Sequence, residues 1–226
     1  MIIKNGKVRN MNEYATPENI NEKAEGWLDE ISLFNLHKMK LNVPKAALLV
    51  IDMQKHFLHE GSPVYTEGGP AIVGNIKRLI EAFRKAGRPV IYTRHVHSAY
   101  GCDAGLIGEW WSDMIIDGTP ESEIIDELAP RDGDPVVKKH RYSAFYNTDL
   151  ETILRCTGVK DLVITGVMTN LCCETTARDA FIRDFRVFFP ADGNGAASEE
   201  MHLATLMNLS WGFAYVCTTE ELVKGM

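Results

Sequence analysis

The stretch Asp161-Leu-Val-Ile-Thr-Gly-Val-Met-Thr-Asn-Leu-Cys-Cys-Glu-Thr-Thr-Ala-Arg-Asp-Ala-Phe181 passes from a β-branched apolar run, through small and polar residues, into a helical pattern. A buried strand feeding a helix is the building unit of parallel α/β sheets. The same stretch puts Cys172 at the junction, in the first turn of the predicted helix. Unpaired backbone N–H groups and the helix dipole favour negative charge there. That setting predicts a lowered thiol pKa and a thiolate nucleophile, with Thr169 or Asn170 as the capping residue. Its neighbour Cys173 reads as a small buried hydrophobe beside Ala177 and Phe181. A vicinal disulfide or redox pair is the alternative reading of the two.

Working outward, further strand-length apolar runs fall at Ala46–Ile51, Pro89–Thr93, Pro135–Val137, Arg186–Phe189 and Phe213–Cys217. Helical patterns separate them at Ala71–Ala86, Glu121–Leu128, Thr148–Cys156, Cys172–Asp184 and Ser198–Leu209. The clearest of these places Ile72, Ile76, Leu79, Ile80 and Phe83 on one face and stops at Gly87. The alternation predicts an α/β domain of three layers, α/β/α, with a six-stranded parallel sheet and helices on both faces. It spans residues 44–226, preceded by an N-terminal arm, residues 1–43. In the arm, Trp27, Ile31 and Phe34 form an apolar stripe on a helix predicted from about Glu18 to Lys38. That stripe needs a partner, either the chain's own domain or a neighbouring subunit.

Composition narrows the function. Of 226 residues, 45% are hydrophobic and 24% charged, as in ordinary soluble domains. A formal net charge of -7 argues against nucleic acid and anionic membranes as partners. There is no run of the ~20 apolar residues that a bilayer span requires, and MIIKNGKVRN lacks the apolar core of a signal peptide. Five cysteines without a scaffold rhythm read as reduced thiols. A cytoplasmic protein acting on a small molecule is the expectation.

Ligands of parallel sheets bind beyond the carboxyl ends of the strands. Asp52, Arg94, Lys139 and the turn before Cys172 all fall there. Asp52 comes directly after the run Ala46–Ile51 and reads as a general base and acid near the thiol, tuned by a cation. In Asp134-Pro-Val-Val-Lys-Lys-His-Arg-Tyr-Ser-Ala-Phe145, Lys139 would be that cation, with Lys138 its rival. Composition alone leaves either lysine free to be merely solvated. Phe57, Arg94, His97, Trp110 and Phe145, with Gln54, are the expected substrate-binding residues. The glycine-containing segment 98–120 reads as the loop that sets substrate choice.

Together, Val50-Ile-Asp-Met-Gln54, Lys139 to Phe145 and Gly166 to Ala180 resemble the isochorismatase-like hydrolase superfamily. This group includes nicotinamidases, N-carbamoylsarcosine amidases, ureidoacrylate hydrolases and isochorismatases. The resemblance covers residues 44 to about 223. It implies an Asp52–Lys139–Cys172 triad and a cis peptide at Val167–Met168. It also implies an oxyanion hole formed by the Met168 and Cys172 amides, and more than one subunit, a dimer or tetramer.

Isochorismatases share Arg141-Tyr-Ser-Ala-Phe145 and Asp179-Ala-Phe-Ile-Arg-Asp184 with this chain, yet have glycine where Cys172 stands. Cys172 therefore points to hydrolysis of an amide, carbamoyl or ureido C–N bond, with no cofactor. A vinyl-ether hydrolase and a non-catalytic binding module are the alternatives; the module would have its pocket filled by Trp110, Trp111 or the arm. Nicotinamidases carry a metal on an Asp-x-His pattern after the second strand. Here Tyr92-Thr-Arg-His-Val-His97 lacks the Asp. His95 and His97 have metal-like spacing, but no third or fourth ligand is identifiable, so no metal is expected.

Overall fold

In the computed structural model, residues 14–111 and 113–226 are described; the opening of the arm, residues 1–13, lies outside them. The chain begins with α1 (Ile20–Glu30) and enters the sheet at β1 (Ala46–Ile51), then α2 (Lys55–Leu58) and α3 (Gly69–Lys85). Next come β2 (Val90–His95), α4 (Leu106–Trp110), β3 (Val136–Lys139), α5 (Leu150–Cys156) and β4 (Asp161–Val167). The remainder is α6 (Glu174–Phe181), β5 (Arg186–Pro190), β6 (Asn194–Gly195), α7 (Glu199–Gly212), β7 (Tyr215–Cys217) and α8 (Thr219–Lys224).

All strand pairs are parallel, and the order is β3-β2-β1-β4-β5-β7. These are the six expected strands. The two-residue β6 adds a seventh by pairing with β4. From β1 the chain steps towards β2 and β3; from β4 it steps the other way, towards β5 and β7. Right-handed crossovers running in opposite directions place α3 and α6 on opposite faces of the sheet. Helices thus cover both faces, and β1, β4 and most of β2 are buried along their whole length.

Between β1 and β4 lies the topological switch point, the crevice where open α/β sheets bind ligands. The two strands leave the sheet at one level, because Ile51 pairs with Gly166. Gly166 has φ of 122°, and a Cβ there would meet the Ile51 carbonyl oxygen at 2.0 Å. Only glycine permits this approach. It sets the turn leaving β1 against the turn leaving β4.

Two helices differ from expectation. The arm helix ends at Glu30, where the Ile31 cap closes it, and does not reach Lys38. Trp27 and Ile31 of its stripe are buried in the chain's own core, while Phe34 packs on Trp211 at the surface. The stripe's partner is therefore this chain. The segment Glu121–Leu128 is not a helix but two 3₁₀ turns, Pro120–Ser122 and Asp126–Leu128, flanking Ile124, which bridges to Gln54. Its apolar spacing serves an extended strap across the end of β1 equally well. No helix among the described residues is long and apolar enough to cross a membrane.

Candidate active site

β3 has too few residues to show a clear pattern in the sequence, but its pleat decides between the two lysines. Burial alternates along it, so Val137 and Lys139 face inward and Val136 and Lys138 outward. Lys138 reaches solvent and pairs with Asp117 at 2.6 Å. Lys139 is fully buried, and its Nζ lies 2.7 Å from Asp52 Oδ2 and 3.2 Å from Cys172 Sγ. The same ammonium donates to the Arg141 carbonyl at 3.0 Å and faces His95 Nδ1 at 3.2 Å.

Asp52 has φ of 49°, a left-handed conformation that Asp tolerates better than most residues. Thr93 of β2 fixes it twice, donating to Oδ1 at 2.6 Å and accepting from the Asp52 amide at 3.1 Å. Three residues distant in sequence thus meet in one dry pocket base, each carried at or just beyond the end of a different strand.

Cys172 does not sit in the first turn of an ordinary α-helix. The peptide Val167–Met168 is cis, and Thr169–Cys173 forms a π-helical turn that runs into α6. Neither Thr169 nor Asn170 caps it; the Thr169 hydroxyl is engaged by His202 and the Asn170 amide by the Met201 sulfur. Cys173 is buried and is a free thiol, as are the other four cysteines. Phe181 is half-exposed and packs on Phe213.

Burial reverses the expected thiol chemistry. It pushes the Cys172 thiol up to about 12, with Lys139 pulling the other way and Asp52 reinforcing the rise. A helix terminus does not offset the loss of water around a buried sulfur. Burial also pulls the Lys139 ammonium down, but Asp52 and Cys172 more than offset this and it stays raised. His95 is held well below its usual value by burial and by Lys139, so it is neutral. Burial thus favours the neutral thiol at Cys172, beside the Lys139–Asp52 salt bridge. Iodoacetamide labelling of Cys172 is expected to keep climbing through pH 10, slow at pH 7 relative to the exposed Cys102. A plateau with an apparent pKa below the free-thiol reference of about 8.5 would contradict this.

Above the thiol opens a largely apolar pocket, with an empty volume of about 560 Å³ including its mouth. Phe57 and His97 line it as expected, with Met168 and Cys172 at its base. His56, Trp111, Tyr142 and Leu171 also line it, and Trp111 Nε1 donates to the Tyr142 hydroxyl at 2.9 Å. Among the described residues, none of the arm and not Trp110 lines the pocket, whereas Trp111 is part of its wall. Trp110 is 74% exposed and faces a separate outer groove. Phe145 stacks on Phe185 in the core. Gln54 uses its whole amide on the backbone of His95 and Ser122, and Arg94 holds Ser122 and Asp117. Gln54 and Arg94 thus support the strand ends and loops, and none of these last four lines the pocket. Sequence offered no way to choose Trp111 over Trp110, since one loop residue's orientation obeys no period.

Among the described residues there are two groups of potential metal donors. Asp52, His95 and Cys172 surround the Lys139 ammonium, which repels a second cation. The set His97, Asp103 and His140 suits a divalent ion better. His97 Nδ1 is buried without a hydrogen bond, 3.4 Å from Asp103 Oδ1; His140 Nδ1 lies 3.6 Å from Asp103 Oδ2 but donates to the Val96 carbonyl at 2.6 Å, which leaves only its other ring nitrogen for an ion. Donors around a tetrahedral ion with bonds of about 2.1 Å stand about 3.4 Å apart. Asp103, on a loop, and His140, just beyond the end of β3, are thus the further candidate donors beside His97.

The isochorismatase domain family model matches residues 46–221. Nicotinamidase 3 of Arabidopsis thaliana is 45% identical over 196 residues, covering 85% of this chain and 94% of that protein. The isochorismatase of Bacillus subtilis (strain 168) is 34% identical over 182 residues, 79% of this chain but only 57% of that protein. Among solved structures, a cysteine hydrolase from Pseudomonas syringae pv. phaseolicola 1448A superposes with a TM-score of 0.80 at 32% identity. It covers 83% of this chain and 95% of its own.

Proposed function

The chain belongs to the isochorismatase domain family, and from that premise we propose that it is a cysteine hydrolase cleaving the C–N bond of a small carboxamide, carbamoyl or ureido compound. One observation carries the reading: a single buried ammonium, Lys139, holds a carboxylate at 2.7 Å and a thiol at 3.2 Å. The relative at 45% identity is a nicotinamidase matched over nearly its whole length. The pocket wall, with Phe57, Trp111 and Tyr142, suits a flat aromatic amide. Nicotinamide is therefore the first substrate to try.

The reaction starts from the neutral thiol. As Cys172 Sγ bonds to the carbonyl carbon, its proton passes to Asp52, while Lys139 remains protonated and balances the charges. The backbone amides of Met168 and Cys172 receive the oxyanion. Collapse breaks the C–N bond, and the proton on Asp52 leaves with the nitrogen as ammonia or amine. A thioester remains on Cys172. Asp52 then takes a proton from water as its oxygen attacks. The C–S bond breaks, the proton returns to sulfur, and the acid departs. A divalent ion held by His97, Asp103 and His140 would supply a Lewis acid at the pocket wall.

Incubation with nicotinamide is expected to release ammonia and nicotinate in equal amounts. An acid quench during turnover should trap the acyl group on the Cys172 peptide. Pyruvate release from isochorismate, without ammonia from any amide, would overturn the proposal in favour of vinyl-ether hydrolysis.

A further inference from the structure

Thr169 opens the turn that carries Cys172, and its hydroxyl shares a 2.9 Å hydrogen bond with His202 Nδ1 of α7. Both residues are fully buried. On the other side of His202 lies the N-terminal segment. The Trp27 ring packs on the imidazole at a centroid separation of 4.5 Å, and Tyr14 at 6.2 Å. Trp27 Nε1 and Lys23 Nζ both donate to Glu199 Oε1 at 2.9 Å, in the first turn of the same helix α7. Tyr14 accepts from the Ala196 amide just before that helix.

None of these groups lines the pocket or touches the triad. A hydrophobic side chain at position 202 would fill the space without burying polar atoms. What the imidazole adds is a fixed partner for the first residue of the nucleophile's turn. That turn is π-helical, and Leu171 and Cys173 both donate to the one Met168 carbonyl. Its path is thus not imposed by the repeat of an α-helix. Burial holds His202 neutral, so its bond to Thr169 persists across the working pH range. The region matched by the family model begins at residue 46 and leaves α1 outside.

We propose that the N-terminal helix is a positioning element of the active site: by covering His202 it fixes Thr169 and hence the placement of Cys172. Trp27, His202 and Thr169 are positioning residues and touch no reacting atom. The inference rests on the nucleophilic role proposed for Cys172.

The test uses full-length variants and nicotinamide. Thr169→Val removes the hydroxyl at nearly constant volume. It should lower kcat about tenfold or more while KM stays within about twofold, since a small misplacement of a reacting group is costly. Thr169→Ser should restore kcat. Trp27→Ala should lower kcat in the same way. In the double variant the kcat losses should not add, because both act through one path. A Thr169→Val enzyme with wild-type kcat, or fully additive kcat losses, would overturn the inference.

If the wild type releases no ammonia from nicotinamide, the functional reading fails separately and iodoacetamide becomes the probe. Thr169→Val and Trp27→Ala should then each speed Cys172 labelling about threefold or more at fixed pH. Labelling at the wild-type rate in both overturns the proposal.

Discussion

Replacing Cys172 with alanine is expected to abolish turnover, by roughly 10⁴-fold or more, because it removes the sulfur proposed to form the covalent intermediate. The adjacent Cys173→Ala supplies the control. Cys173 is enclosed in the core, and its thiol is held protonated well above the usual range by burial and by the neighbouring Cys172. It has no hydrogen bond to the lysine, which bonds Cys172. Truncation there leaves a small cavity, costing about 1 kcal/mol of stability and little of kcat. Ammonia release by the two variants, at matched fractions folded, decides the assignment. Equal losses in both would show that the turn, and not one sulfur, is what matters.

Lys139→Met should damage both activity and stability. The ammonium is the only cation within hydrogen-bonding reach of Asp52 among the described residues, and both side chains are fully buried. Removing one member of a buried pair leaves the other without compensation, typically at a cost of about 3–5 kcal/mol. The midpoint of urea unfolding should fall accordingly, and kcat should drop by about 10³-fold or more as the carboxylate loses its charge partner. Adding Asp52→Asn to Lys139→Met removes the stranded charge, so stability should partly return while activity does not. A single variant as stable as the wild type would mean that the pair is not the buried ion pair described here.

Both effects concern residues at strand ends, the part of the site that is legible in the sequence. Continuous apolar runs such as Ala46–Ile51 admit few readings, so the strands can be placed within about two residues, and their alternation with helices implies a parallel sheet. The positions of Asp52 and Cys172 come with that register, and Lys139 with the end of β3. Legibility ends where periodicity ends. The strap at Glu121–Leu128 has apolar spacing compatible with a helix, but it is held extended by its bridge to Gln54. Trp110 and Trp111 differ only in where one loop turns. The thiol's resting state depends on how completely the sulfur is enclosed, and no local motif encodes enclosure. Asp103 and His140 join His97 only because the loop after β2 folds back across the end of β3.

The meeting of β1 and β4 at the switch point has an evolutionary corollary. Asp52 and Cys172, the residues proposed to break the bond, follow the β1–β4 ladder, where a glycine contact fixes the spacing. The residues that wall the pocket above them ride on α2 and the loops carrying Trp111 and Tyr142. Heredity can therefore edit the two separately. Substitutions in the loops retarget the enzyme while its reaction survives unchanged, so a single scaffold can radiate into many substrate preferences without ever passing through an inert ancestor.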